Sequence, residues 1–127
     1  MAKGERSSRL RRSAAVHPSR LARAHLDTIA AGVRSDRAVA GLLGISPSQV
    51  SRWRKGQVPD IQNADRLAGL ALIVEMLLRW LELEAIPGWL EGPNAHLDDR
   101  SPAYLLRHGQ IADVIGAIEA GKAGVYA

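Results

Sequence analysis

Residues 36–55 read DRAVAGLLGISPSQVSRWRK, and this stretch decides the fold. Two short amphipathic segments, Asp36–Leu43 and Ser46–Lys55, flank a turn at Gly44. A helix-turn-helix needs a small residue where its helices cross, and Ala40 stands there. Four positions later it needs a residue that tolerates positive φ, which Gly44 supplies without a steric penalty. Val39, Leu43, Ile45, Val50 and Trp53 recur at the spacing that turns them inward together. Ser35 is placed to cap the first helix, and Ser46-Pro47 opens the second with a capping hydroxyl and a proline at the first helical position. Gly56 stops it.

With Val50 and Trp53 facing the core, Ser48, Ser51, Arg52 and Lys55 point outward, with Ser46 at the N-terminal end. In a DNA-binding unit of this kind the second helix lies in the major groove. The fork of Arg52 suits a guanine edge, Gln49 and the serines suit bases or phosphates, and Arg54 and Lys55 suit the backbone. The other reading of the same residues is a solvated basic face that no longer meets DNA. Trp53 is read as core, not as a stacking platform.

Moving toward the N-terminus, residues 20–33 place Ala22, Leu26, Ile29, Ala30 and Val33 on one helical face, with Ser19 as a cap. Residues 1–19 are rich in Arg and Ser, and read as a disordered basic arm, either touching DNA phosphates or only keeping the chain in solution. Toward the C-terminus, Ile61 to about Leu83 forms the longest helix, with only a narrow polar stripe. Such a helix must be buried on more than one side, against its own domain or a partner subunit. Pro87-Gly88 breaks the pattern, and a short piece carrying Trp89-Leu90 leads to the turn at residues 92–94. Ser101-Pro102 starts another helix closed by Gly109, and residues 110–120 form the last, before a tail with Gly121 and Gly124. No strand-period alternation appears. The expected fold is all-α: an N-terminal helix-turn-helix bundle over 20–60, a connecting or dimerisation helix over 61–83, and a small helical domain over 84–127.

Charge is divided along the chain. Residues 1–60 carry 12 Lys/Arg against 4 Asp/Glu, and residues 61–127 carry 5 against 9, within an overall net charge of +4. The basic half points to a polyanionic partner, and the acidic half argues against nucleic acid along the whole length. The 127 residues contain no cysteine, which excludes disulfides and thiolate chemistry. The four histidines are scattered, with no pair at metal-ligand spacing, no phosphate-binding glycine loop and no nucleophile elbow. Catalytic residues, metal ligands and cofactors are therefore not expected, and the chain reads as a binding protein. Its longest uncharged run in the apolar region, Leu67–Val74, is too short to span a membrane, so a cytoplasmic protein is expected.

The segment LLGISPSQVSRWRKGQVPD resembles the Xre/Cro-type repressors, through Gly44-Ile45-Ser46, Val50-Ser51-Arg52-Trp53 and the ending Gly56-x-x-Pro59. The second half resembles the toxin-binding domain of Xre/MbcA/ParS-type antitoxins, through Trp89-Leu90, Pro93-Asn94, Leu97, Pro102-x-x-Leu105-Leu106, Gly109, Val114, Ile118 and the Gly-rich tail. The resemblance implies an antitoxin whose partner is a RES-domain toxin that degrades NAD, and which also binds operator DNA to repress its own operon. It implies a homodimer or a larger toxin–antitoxin assembly. It places Trp89 and Asn94 at the toxin and Gly121, Lys122, Ala123, Gly124, Val125, Tyr126 and Ala127 in the toxin's cleft. Read physically, that tail has two glycines, a cation and an aromatic hydroxyl, and either fills a dinucleotide cleft or is a frayed end. The alternative function is a stand-alone repressor whose second half dimerises or senses a ligand.

Overall fold

The computed structural model describes residues 16–124. Much of the basic arm and the last three residues, Val125, Tyr126 and Ala127, lie outside the described residues. Seven α-helices and no strand occur among the residues described: α1 Pro18–Val33, α2 Asp36–Leu43, α3 Pro47–Arg54, α4 Ile61–Trp80, α5 Ile86–Glu91, α6 Pro102–Arg107 and α7 Ile111–Lys122. Two 3-10 turns, Leu83–Ala85 and Ala95–Leu97, flank α5.

Side-chain caps fix most of the starts. Ser35 Oγ accepts from Ala38 N at 3.1 Å, Ser46 Oγ from Gln49 N at 3.3 Å, and Ser101 Oγ from Tyr104 N at 3.1 Å. Each satisfies a backbone donor that the first helical turn leaves without a partner. Asp60 caps α4 in the same way, accepting from Asn63 N at 2.8 Å. α1 begins earlier than the Ser19 cap implied. His17 caps it, its Nδ1 accepting from Ser19 N at 3.2 Å, and Pro18 fits the first turn because its absent N–H is not needed there. Gly44 (φ 69°) and Gly56 (φ 110°) take the left-handed conformation at the ends of α2 and α3. Beyond Gly56, Gln57 N donates to Arg52 O at 3.0 Å, closing the end of α3.

α4 ends at Trp80, before the Leu83 that apolar pattern alone gives it. Leu81 turns extended, and the chain folds back so that Leu81, Leu83 and the fully buried Ile86 cover the core. Pro87 does not break a helix: it sits in the first turn of α5.

α4 is the spine. α1 packs along one side of it, and α7 along another. Leu67, Leu70, Ile73, Val74 and Leu77 are buried from both directions, which accounts for most of the apolar circumference seen in the sequence. α6 lies against α2, so α1, α2 and α3 and the C-terminal helices share one continuous buried cluster running from Ala22 to Ile118. Outside that cluster α4 leaves Ile61, Leu72 and Leu78 exposed. No helix among the described residues is long and apolar enough to cross a membrane.

Candidate nucleic-acid interface and C-terminal segment

Within α3 the inward residues are Val50, fully buried, and Trp53, 2% exposed. Fixing that face fixes the opposite one: Ser46, Ser48, Ser51, Arg52 and Lys55 are exposed, and Gln49 is half-buried. Ser46 Oγ and Ser48 Oγ share a hydrogen bond of 3.0 Å at the start of the helix. Arg52 Nη2 donates to Gln49 Oε1 at 3.0 Å, and Gln49 Nε2 donates to Gln57 Oε1 at 3.2 Å. Gln49, Trp53, Gln57, Val58, Asp60 and Asn63 line a polar cleft of about 240 Å³ beside this face. The outcome is a helix presenting hydroxyls, amides and cations on one continuous surface, the chemistry that base edges and phosphates take.

Arg54, placed by its sequence position on the DNA backbone, is engaged elsewhere. Its Nε and Nη2 grip Asp36 at 2.6 and 2.8 Å, and its Nη1 meets Asp27 at 2.6 Å. Hydrogen bonds from Asp36 and then Asp27 hold the guanidinium further above its already high pKa. A bidentate grip of this kind ties α3 to α2 and α1, so the outward face of α3 is held at a set angle to the bundle.

Trp89 and Asn94, assigned to toxin contact by resemblance, are both half-buried. Trp89 meets Trp80 edge to face, with centroids 6.1 Å apart and planes at 80°. Asn94 organises its loop: its Oδ1 accepts from His96 N at 2.9 Å, and its carbonyl accepts from Leu97 N and Asp99 N, each at 2.9 Å. The adjacent Asp98 and Asp99 take positive φ there, at 55° and 63°. The tail proves shorter than the sequence suggested. Gly121 and Lys122 belong to α7, which stops at Lys122 and not at Ala120. A Cβ on Gly121 would lie 2.6 Å from Trp80 Cη2, so the glycine lets the last turn of α7 close on α4. Ala123 and Gly124 are exposed beyond it.

Three arginines carry the long-range ties that motif reading passed over. Besides Arg54, Arg66 Nη2 donates to Leu106 O at 3.1 Å and Arg107 O at 3.3 Å, satisfying carbonyls at the end of α6. Arg107 Nε donates to Gly41 O at 3.0 Å and its Nη2 pairs with Glu91 at 3.3 Å. Local spacing gave no signal for these partners, which stand up to 66 positions away. Among the described residues no group of three His, Asp or Glu comes together as a metal site.

No protein-family model matches the chain. It is 36% identical over 89 residues to the mycobacterial cidal antitoxin MbcA of Mycobacterium tuberculosis and of Mycobacterium bovis, a span covering 69% of this chain and 79% of theirs. Its fold matches a chain in the crystal structure of the M. tuberculosis MbcT–MbcA toxin–antitoxin complex, with a TM-score of 0.67 and 27% identity. That match covers 89% of this chain and all of the other. The chain belongs to the Xre/MbcA/ParS-type antitoxin family.

Proposed function

We propose that the chain neutralises a RES-domain, NAD-degrading toxin by binding it and occluding its active site with the segment Gly121–Ala127, and that it represses its own operon by binding operator DNA. The observation that carries the toxin half is the joint likeness to MbcA, in sequence over most of both chains and in fold to a chain solved in a toxin–antitoxin complex. The DNA half rests on the exposed face of α3, with Ser46, Ser48, Gln49, Ser51, Arg52 and Lys55 toward the duplex and Arg54 behind them as the clamp. The protein acts by binding, without a cofactor, in the cytoplasm, as a dimer or as part of a larger toxin–antitoxin assembly. Paired half-sites one helical turn apart are what a single helix-turn-helix per subunit calls for.

Two constructions of the experiment separate the halves. Full-length chain pulled from its native cells should bring down a stoichiometric small enzyme that consumes NAD. Recovery alone, or with DNA only, would point to a stand-alone repressor. Removal of residues 123–127 leaves α7 whole, and it should abolish protection of cells expressing the toxin while operator binding persists. Full protection by the shortened chain would remove the tail from the mechanism.

A further inference from the structure

Resting on the reading of α3 as a DNA-reading helix, we infer that Gln57, which lies outside that helix, is a positioning residue for sequence readout. It acts through a two-link relay, Gln57 to Gln49 to Arg52. Arg52 is the exposed guanidinium on the outward face, and a free Arg side chain there would sample many rotamers. Gln49 Oε1 accepts from Arg52 Nη2 at 3.0 Å, which restrains the fork over the helix and leaves its remaining N–H groups for a partner. An amide can take that role only with its oxygen toward Arg52. Gln57 reinforces this orientation, because its Oε1 accepts from Gln49 Nε2 at 3.2 Å. Gln57 is itself anchored: its backbone N–H donates to Arg52 O at 3.0 Å, one step beyond the left-handed Gly56. The turn that ends α3 therefore returns a side chain to the helix it has just closed. An arginine held in one orientation loses less entropy on meeting a base edge, and discriminates more sharply against the wrong one.

Gln57 is exposed, and among the described residues its side chain bonds only to Gln49, so its replacement should leave the fold unchanged. The full-length chain is used to enrich bound duplexes from a randomised pool. An enriched duplex and an unselected duplex of equal length are then titrated at one salt concentration. Gln57→Met keeps the side chain's length and removes the acceptor. It should lower the ratio of the two affinities roughly three- to tenfold, the worth of one hydrogen bond, with binding to the unselected duplex and the melting temperature unchanged. Gln57→Glu keeps the acceptor and adds a negative charge, so it should weaken both duplexes alike and preserve the ratio. In an Arg52→Ala background, Gln57→Met should cost nothing further. A parental ratio for Gln57→Met, a fall of the ratio for Gln57→Glu as large as that for Gln57→Met, or an undiminished effect without Arg52 would each overturn the relay while leaving DNA reading in place. A pool that never enriches would overturn DNA reading, and the relay with it.

Discussion

Arg52 and Arg54 are two positions apart in one helix, yet they do different work. Arg52 is exposed, and if α3 reads DNA, Arg52→Ala should cost about 1–3 kcal/mol of discrimination at one base position in operator titrations. Equal affinities of mutant and parent would place readout elsewhere. Arg54 is 30% exposed and grips Asp36, which is 37% exposed, through two hydrogen bonds. Asp27 is 70% exposed, so solvent screens its share. Arg54→Ala should therefore destabilise the fold by about 1–2 kcal/mol in denaturant titration, the bidentate bond contributing most. A loss of DNA affinity with unchanged stability would instead return Arg54 to the phosphates.

At the scale of elements, α4 shows how much one helix can be asked to bury. Its apolar residues outnumber what a single packed face needs, and α1 and α7 together cover most of them. Leu72 remains 45% exposed, near the middle of the helix and away from both neighbours. If α4 carries the subunit contact, Leu72→Glu should convert a dimer to a monomer in light scattering while the helical circular-dichroism spectrum is retained, and any fall in melting temperature should shrink as the parent is diluted. An unchanged mass would leave the contact to another face. The ends of the elements follow simpler rules. Ser35, Ser46, Asp60 and Ser101 each cap the helix that a hydrogen-bonding side chain in that place predicts, and Gly44 and Gly56 end theirs by adopting positive φ.

At the scale of the molecule, the N-terminal and C-terminal halves are not independent bodies joined by a helix. One buried cluster includes Leu26 and Ile29 of α1, Val39 of α2, Leu70 and Leu77 of α4, and Val114 and Ile118 of α7. Arg107 and Arg66 add hydrogen bonds that join α6 to α2 and to α4. Ile118→Ala should thus cost about 2–5 kcal/mol, and the loss should appear in hydrogen-exchange protection of α1 as well as α7. Parental protection in α1 beside a loss in α7 would show two units that open separately.

The amino-acid sequence by itself determined the helices α2 and α3, their serine caps and turn glycines, and the inward placement of Val50 and Trp53. These depend on residues within one or two turns of each other, where periodicity and capping chemistry act directly. It also carried the family, through short motifs in both halves. Tertiary structure alone decided where Arg54 goes, that Trp89 packs on Trp80, that Gly121 seats the last turn of α7, and that Gln57 reaches back to Gln49. Arg54 meets carboxylates 18 and 27 positions away, and Gly121 meets an aromatic ring 41 positions away. Contacts of that separation are set by how helices cross, and no local spacing encodes a crossing: it exists only once α4 is buried between α1 and α7.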